Sequence, residues 1–184
     1  NKIPNYVGYY ITKNNSKGKN VRETYFHTET SLNKEYQSYS SNYTNSGYDR
    51  GHMSPAADWK FDKQAMYDSF SMANICPQNP KLNRIYWKSI EDIERKYSLK
   101  CDTLYIISGV ICYDSIYIKN NVRIPTYFYK TCVGILNGKI VISSAWIFKN
   151  TNEIQEHNKC RVTIQSIEQL INKDLYNNFW FNIK

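Results

Sequence analysis

The sequence lacks any run of about eighteen apolar residues, the length that a membrane-spanning helix needs, so we predict no membrane insertion. It also lacks a Cys-x-x-Cys pair, and its three histidines show no paired metal-ligand spacing, so a structural zinc site is not expected. Neither an internal repeat nor a linker divides the chain. Residues 1–184 are therefore predicted to form a single domain.

The five cysteines are widely spaced, and their odd number leaves at least one thiol unpaired within a monomer. Cys76, Cys112 and Cys132 lie in apolar, strand-like contexts, where a cysteine most often serves as a small buried hydrophobic residue. The sequence fixes no disulfide pairing.

The charge balance is basic, with a formal net charge of +8 and 24 lysines and arginines. Such a surface attracts polyanions, although the same charge also serves solubility. The basic residues are scattered along the chain and do not form one block. This distribution favours sequence-independent contacts with phosphates over a polybasic tail.

Alternation of β-branched and aromatic residues predicts strands, and helical periodicity and turn residues predict helices between them. The predicted strands are Asn5 to Thr12, Phe70 to Cys76, Asp102 to Val110, Pro125 to Leu136 and Lys139 to Phe148, the last two joined by an Asn137-Gly138 hairpin turn. The predicted helices are Lys63 to Phe70, Leu82 to about Ser98 and Thr163 to about Asn172. We expect an α+β fold, a mixed domain with a central antiparallel sheet flanked by helices.

Two segments carry residues suited to phosphodiester chemistry: YDRGHMSPAADW from Tyr48 to Trp59, and NICPQNPKLNRIYW from Asn74 to Trp87. Arg50 can hold a phosphate through its planar fork of donors. His52 can accept a proton from water near neutral pH, and Asn83 can offer an amide oxygen to Mg²⁺. Together these side chains indicate a one-metal phosphodiesterase site.

In the predicted helix from Leu82, a polar and aromatic row recurs every four residues and stays on one side: Asn83, Trp87, Glu91 and Arg95. Each member also has a simpler interpretation. An asparagine near a helix start usually caps it, Glu91 and Arg95 suit a surface ion pair, and Trp87 suits the core. Taken alone, the row does not decide between these interpretations.

The combination of DRGH, NICPQ, LNRIYW and SIEDIERK, in this order and spacing, resembles the DNA/RNA non-specific endonucleases of the ββα-metal superfamily. That family includes secreted bacterial nucleases and mitochondrial endonuclease G. Weaker similarity extends from about Tyr6 to the C-terminus, so the resemblance covers nearly the whole chain.

The resemblance implies a role for each matching residue. His52 matches the general base, Asn83 the direct magnesium ligand, and Glu91 the acidic residue that orders water around the metal. Arg50 and Arg95 match phosphate-contacting arginines, and Asn74 matches an asparagine that supports the site. Arg22 and Arg84 are further nucleic-acid-binding candidates, while Asp49 is interpreted as a structural partner of the loop.

The resemblance also implies an Mg-dependent endonuclease, with Mn or another divalent cation as a substitute, that cuts DNA and RNA with little sequence preference. Attack by water would leave a 5′-phosphate and a 3′-hydroxyl. Activity is expected to fall below the pKa of His52, which is about 6.5 before any shift. Members of this family often dimerise, so a homodimer is an open question for this chain. An inhibitor protein is a second open question, because a cell that makes such an enzyme internally needs protection from it.

The chain begins at Asn1 without a methionine, which suggests a removed targeting segment or tag. A nuclease without sequence preference is expected to be exported in bacteria or mitochondrial in eukaryotes. Two alternatives remain: a catalytically silent nucleic-acid-binding or assembly subunit on the same fold, and a structure-selective nuclease that a partner regulates.

Overall fold

The computed structural model describes residues 1–13, 15 and 18–176 of the chain. In chain order its strands are β1 (Tyr6–Thr12), β2 (Asp49–His52), β3 (Ile75–Gln78), β4 (Thr103–Ile111), β5 (Tyr117–Ile118), β6 (Val122–Arg123), β7 (Tyr127–Leu136), β8 (Lys139–Lys149) and β9 (Arg161–Val162). The α-helices are α1 (Lys63–Ser69), α2 (Lys88–Ser98), α3 (His157–Cys160) and α4 (Ile164–Ile171).

The central sheet has five antiparallel strands in the order β1-β4-β7-β8-β9, which confirms the predicted α+β class with a central antiparallel sheet. The β7-β8 hairpin turns at Asn137 and Gly138, whose φ angles are +51° and +73°. Both residue types tolerate this left-handed conformation, which a tight hairpin turn requires. The predicted hairpin is thus confirmed.

A separate two-stranded ribbon pairs β2 with β3, in a register that sets Asp49 opposite Gln78 and His52 opposite Ile75. The predicted strand from Phe70 to Cys76 is wrong over its first five residues and holds only for Ile75 and Cys76, which begin β3. Phe70 ends α1, and a 3₁₀ turn then covers Met72–Asn74. The Ser71 hydroxyl accepts the Ala73 N–H and starts this turn, because serine competes locally for backbone donors.

The segment after β3 was expected to be one regular α-helix, but its first part, Leu82–Trp87, is a π-helix that runs into α2. The Lys88 N–H donates to the Asn83 carbonyl five residues earlier, which defines the wider turn. This turn accompanies the burial of the adjacent Tyr86 and Trp87, both of which lie in the core. Asn83 therefore stands in a wider turn than Glu91 and Arg95.

The helical segment packs on one face of the sheet. Trp87 contributes the largest fully buried side chain, and its neighbours in the core come from both layers: Leu82, Ile90, Leu104, Ile106, Phe128, Cys132, Trp146 and Phe148. Trp87 thus anchors the core as predicted. Because its ring is fixed there, the polar residues of the same helical segment hold a defined position.

The predicted helices near Lys63 and Thr163 are confirmed with small changes at their ends. The Asp62 side chain accepts two N–H groups at the start of α1, and Thr163 caps α4. Cys76 and Cys132 are buried as expected, whereas Cys112 is partly exposed, and the five thiols are free. Over the described residues, no helix is both long and apolar enough to cross a membrane.

Candidate active site

A cleft of about 440 Å³ lies between the β2 ribbon and the helical segment. Seven of the eight candidate residues line it: Arg22, Arg50, His52, Asn83, Arg84, Glu91 and Arg95. Asn74 does not. Side chains more than 70 residues apart in sequence therefore line one cavity. This convergence is what is expected of a binding or catalytic site.

His52 ends β2 with its ring between two phenylalanines. Its ring centroid lies 5.4 Å from that of Phe26 and 4.8 Å from that of Phe70. The Nε2 atom is buried and makes no hydrogen bond to the protein. Because burial of an unpaired polar atom costs free energy, an unpaired Nε2 at a cleft is typical of a functional group.

Burial lowers the pKa of His52 to about 3. The positive charge of Arg22 acts in the same direction, and a hydrogen bond to the Arg50 backbone acts against it. Burial disfavours the charged imidazolium because the apolar surroundings cannot solvate it. His52 is therefore neutral near pH 7, which is the state that can accept a proton.

Asn83 is oriented by Asp49, whose Oδ2 accepts its Nδ2–H at 3.0 Å. This bond commits the amide nitrogen and leaves the amide oxygen as the free acceptor. Asp49 also binds Arg84 through two short contacts, at 2.7 and 2.8 Å. Burial raises the pKa of Asp49, but the hydrogen bonds from Arg84 and Asn83 outweigh it, and the pKa lies below its ordinary value.

Asp49 thus acts as a structural partner, in the way the sequence predicted. Its carboxylate ties the start of β2 to the π-helix and holds two cleft residues at once. Arg84 is consequently engaged with Asp49, although its side chain remains 68% exposed. Its guanidinium can still present an outer edge to a ligand.

Glu91 lies about two turns beyond Asn83 along the helical segment, lines the cleft and makes no hydrogen bond to any described residue. Burial raises its pKa to about 7. Lys130 lowers this pKa, while Glu94 and Asp58 raise it further by repulsion. A carboxyl group that titrates near neutral pH in a cleft is a strong functional candidate.

Arg95 does not pair with Glu91, contrary to the surface-pair interpretation. Its Nη1 donates to Asp58 at 2.8 Å, and its Nη2 donates to Asp92 at 2.7 Å. Asp58 is 1% exposed, so its charge needs a partner and competes successfully for Arg95. Arg95 lines the cleft with a side chain fixed by these two carboxylates.

Arg50 and Arg22 bring positive charge to the ribbon side of the cleft. Arg50 donates to the Ser40 carbonyl through two nitrogens and lies 5.7 Å from the Phe26 ring centroid. The Arg22 guanidinium lies 5.1 Å from the centroid of Phe70. Arg50 is therefore held rigidly, whereas Arg22 is exposed and rests on an aromatic face.

Asn74 lies behind the cleft wall and supports it. Its Nδ2 donates to the carbonyls of Ser54 and Ser69, and its Oδ1 accepts the Ser54 N–H. All of these contacts are shorter than 3.0 Å, so the side chain has no free group for catalysis. Asn74 fixes the loop that follows His52 and is a supporting residue.

Five lining residues were not among the candidates: Pro55, Ala56 and Ala57 follow His52 in its motif, whereas Phe26 and Lys88 lie outside both motif segments. Lys88 is exposed and lies three residues before Glu91, so helical spacing could have placed it on the same side. Phe26 belongs to an irregular segment and contacts His52 only through the tertiary fold. No local pattern marks it.

The donor set of the cleft fits a hard divalent cation. Within the described residues, no group of three or more histidine, cysteine, aspartate or glutamate side chains could enclose a metal ion. Asn83 offers a single oriented amide oxygen, and the Glu91 carboxylate remains free of hydrogen bonds in the same cleft. Mg²⁺ binds in this manner, through few protein oxygens, because it keeps most of its waters.

Comparisons with known proteins agree with this arrangement. The sequence model of the DNA/RNA non-specific endonucleases matches residues 1–180. Mitochondrial nuclease 1 of Schizosaccharomyces pombe is 33% identical over 153 residues, which are 74% of this chain and 47% of that protein. Human mitochondrial endonuclease G is 26% identical over 162 residues, which are 80% of this chain and 54% of that protein.

A crystal structure of the EndoG/EndoGI complex has the same fold, with a TM-score of 0.85 over 96% of this chain and 80% of that chain, at 23% identity. The chain spans about half the length of the curated relatives it matches. The family match over residues 1–180 includes both motif segments that line the cleft.

Proposed function

This chain belongs to the DNA/RNA non-specific endonuclease family, and we propose that it is a divalent-metal-dependent endonuclease acting on DNA and RNA with little sequence preference. One observation carries the proposal: a neutral histidine with an unpaired Nε2 shares a cleft with an oriented amide oxygen and a carboxyl group free of hydrogen bonds. These are the base and the cation-binding groups that phosphodiester hydrolysis requires.

The proton step belongs to His52. Because burial keeps its imidazole neutral, Nε2 can accept the proton of an attacking water over a wide pH range. Phe26 and Phe70 restrict movement of the ring and exclude bulk water from its faces. In-line attack by that water on phosphorus breaks the bond to the 3′ oxygen, leaving a 5′-phosphate and a 3′-hydroxyl.

The substrate phosphate is bound by cations on both sides of the cleft. Arg50 and Arg22 approach it from the ribbon side, and Arg95 and Lys88 from the helix side. Arginine holds phosphate oxygens through its planar fork, and these contacts carry no information about the base. Since water and not a 2′-hydroxyl attacks, both DNA and RNA are substrates.

Mg²⁺, or Mn²⁺ in its place, would be held by the Asn83 amide oxygen, with Glu91 accepting hydrogen bonds from the surrounding waters. When bound, the cation supplies positive charge that stabilises the transition state and the leaving oxygen. The protein's own part is to orient Asn83 through Asp49 and to keep Glu91 free of other partners.

The cellular compartment of the protein is proposed from its relatives and from the expected absence of sequence preference. The named relatives of yeast and human origin are mitochondrial nucleases, and we propose the same compartment if this chain is eukaryotic. Export remains the prediction for a bacterial source. The EndoG of the solved complex is bound by an inhibitor, and for this chain an inhibitor protein and a homodimer stay open questions.

The decisive experiment is cleavage of supercoiled plasmid and of RNA by the purified protein, with Mg²⁺ or with EDTA. Wild-type protein should cut both substrates only with Mg²⁺. His52→Ala should lower the rate by about 10² to 10⁴-fold, the usual contribution of a positioned general base.

His157→Ala provides the matched control. His157 bonds to Ser89 at 2.6 Å and does not line the cleft, so its loss should leave cleavage close to the wild-type rate. A wild-type protein that binds the plasmid without cutting it would overturn the proposal and favour the silent binding subunit. Equal activity on branched and linear substrates would argue against a structure-selective nuclease.

A further inference from the structure

Trp87, the largest fully buried side chain, bonds directly to the residue that carries the proposed base. Its indole N–H donates to the backbone carbonyl of His52 at 3.1 Å, and the residue is 0% exposed. A buried tryptophan usually finds an acceptor for its N–H, and any nearby carbonyl can satisfy that need. In this fold the acceptor belongs to a cleft residue 35 positions earlier in the chain. The bond therefore links the helix side of the cleft to the ribbon side.

The carbonyl of His52 depends on this bond because β3 does not supply one. The next N–H along the chain, that of Met53, donates to the Asn74 carbonyl at 2.9 Å. In an antiparallel pair, successive residues alternate between bonding across the ladder and pointing away from it. His52, opposite Ile75, is thus a residue whose carbonyl points away from β3. Among the described residues, Trp87 is the one side chain that donates to it.

The position of this strand end decides where the base points. The His52 ring is hydrogen-bonded to the backbone of Arg50, two residues earlier in the same strand. The ring packs between Phe26 and Phe70, and its Nε2 has no hydrogen bond to the protein. Within the described part of the chain, no polar contact from another element holds the ring. Displacement of the His52 backbone would therefore displace Nε2 as well.

The indole is itself held rigidly, so it can serve as a fixed support. The Lys130 ammonium group lies 4.5 Å from a ring centroid of Trp87, and the Phe128 ring lies 5.6 Å away at an interplanar angle of 65°. Both residues belong to β7 of the central sheet. Trp87 also ends the π-helix that carries Asn83. One side chain thus ties the base to the segment that bears the proposed cation-binding amide.

We propose that Trp87 is a positioning residue of the active site, whose indole N–H fixes the backbone of His52 and thereby directs Nε2 at the attacking water. The inference rests on the proposed function of the cleft. The competing explanation is that Trp87 only fills the core. The two explanations differ in what happens when the N–H is removed and the aromatic bulk is kept.

The test compares Trp87→Phe with Trp146→Phe in plasmid cleavage with Mg²⁺, at a temperature at which melting curves show that every variant is folded. Trp146 lies in the same core cluster, is 3% exposed and is hydrogen-bonded to no described residue of the cleft. Both variants therefore lose the same ring volume, but only one loses a bond to His52.

We expect Trp87→Phe to lower kcat about 10- to 100-fold, because a misplacement of about 1 Å caused far from the chemistry can cost about 10²-fold. KM for the plasmid should stay close to the wild-type value, since the phosphate contacts are unchanged. Trp146→Phe should retain the wild-type kcat. Equal kcat values in the two variants would overturn the inference, as would a Trp87→Phe protein that changed KM alone.

A closer isostere covers the case in which Trp87→Phe does not fold. Benzothienylalanine keeps both rings of tryptophan and has sulfur in place of the N–H, so it removes only the donor. Incorporated at position 87, it should lower kcat over the same range. A wild-type kcat in this protein would contradict the inference, because the core would then be filled and the hydrogen bond absent without effect.

A measurement without metal or substrate separates this inference from the proposed function. Nuclear Overhauser contacts from the His52 ring protons to the Phe26 and Phe70 rings report the position of the imidazole, and His52→Ala identifies its signals. The relative intensities of these contacts should change in Trp87→Phe and stay as in wild type in Trp146→Phe. Unchanged contacts in Trp87→Phe would overturn the inference. If wild-type protein does not cut nucleic acid, the proposed function fails, while these contacts still decide the role of Trp87.

Discussion

The two walls of the cleft respond to burial in opposite ways. On the ribbon wall, burial lowers the pKa of His52 to about 3, and the neighbouring Arg22 lowers it further. On the helix wall, burial raises the pKa of Glu91 to about 7, with Lys130 counteracting and Glu94 and Asp58 adding to the shift. In each case the apolar surroundings favour the uncharged form, because neither group is well solvated.

This difference indicates which of the two groups changes its protonation state near neutral pH. His52 remains neutral far below pH 6, so it cannot produce the fall in activity near pH 6.5 that an unshifted histidine would give. Glu91 changes charge near pH 7 and attracts a cation only when ionised. Under the proposed function, the helix wall would therefore control cation binding and the acid limb, the ribbon wall would supply the base, and both walls would contact the phosphate.

The largest expected effect removes the cation-binding group of the helix wall. Asn83→Ala eliminates the oriented amide oxygen and should lower Mg²⁺-dependent cleavage at least about 100-fold, because a bound cation is worth several kcal/mol of transition-state stabilisation. The measurement is the cleavage rate as a function of Mg²⁺ concentration. Asp49→Asn, which leaves the amide in place but weakens its hydrogen bond, should cost less. Wild-type Mg²⁺ dependence in Asn83→Ala would assign the metal to other ligands.

The second prediction separates the two walls by pH. The rate should fall about tenfold per pH unit below the pKa of Glu91, about 7, because protonation removes its charge. Higher Mg²⁺ should shift this midpoint to lower pH, since a cation stabilises the ionised form. The residual activity of Glu91→Gln should be flat between pH 5.5 and 7.5. If the rate of Glu91→Gln still falls at low pH, the pH dependence would have to be assigned to His52.

The smallest effect concerns the outer rim of the helix wall. Lys88 is exposed and has no ion-pair partner among the described residues, so Lys88→Ala should weaken DNA binding roughly three- to tenfold at low salt. The slope of log K against log salt should fall by about one, because one fewer counterion is released. Lys139→Ala, on the β7-β8 hairpin, is the control. Equal slopes for the two variants would remove Lys88 from the phosphate-binding surface.

Local patterns predicted the parts of the fold that local chemistry determines. Asn137-Gly138 fixes a hairpin, and caps at Asp62 and Thr163 fix the starts of two helices, so these elements were predictable. The first part of the strand predicted from Phe70 was wrong because Ser71 captures a backbone N–H and starts a 3₁₀ turn instead. The order of the sheet is a property of long-range pairing, which the strand patterns alone do not specify.

In the candidate site, too, some features were predictable from local sequence and others depend on long-range contacts. Motif spacing identified the residues that line the cleft, but not their partners within the fold. Arg95 binds Asp58, which is distant in sequence and buried, and not the nearby Glu91 that helical spacing suggested. Lys130, fully buried on β7, gave no sequence signal, because a lysine within a strand pattern looks like an exposed residue. Such pairings depend on which charges the fold removes from water.

The π-helix at Leu82–Trp87 has a consequence for the spacing of the site. Each residue of an α-helix advances about 100° around the axis, and the wide turn absorbs one extra residue, so a change that restored regular α geometry without removing a residue would rotate α2 by about that amount relative to Asn83. Glu91 would then leave the cleft while every catalytic side chain remained in the sequence. The wide turn thus sets the angle between Asn83 and Glu91, and an insertion there should be tolerated less well than substitutions of its exposed residues.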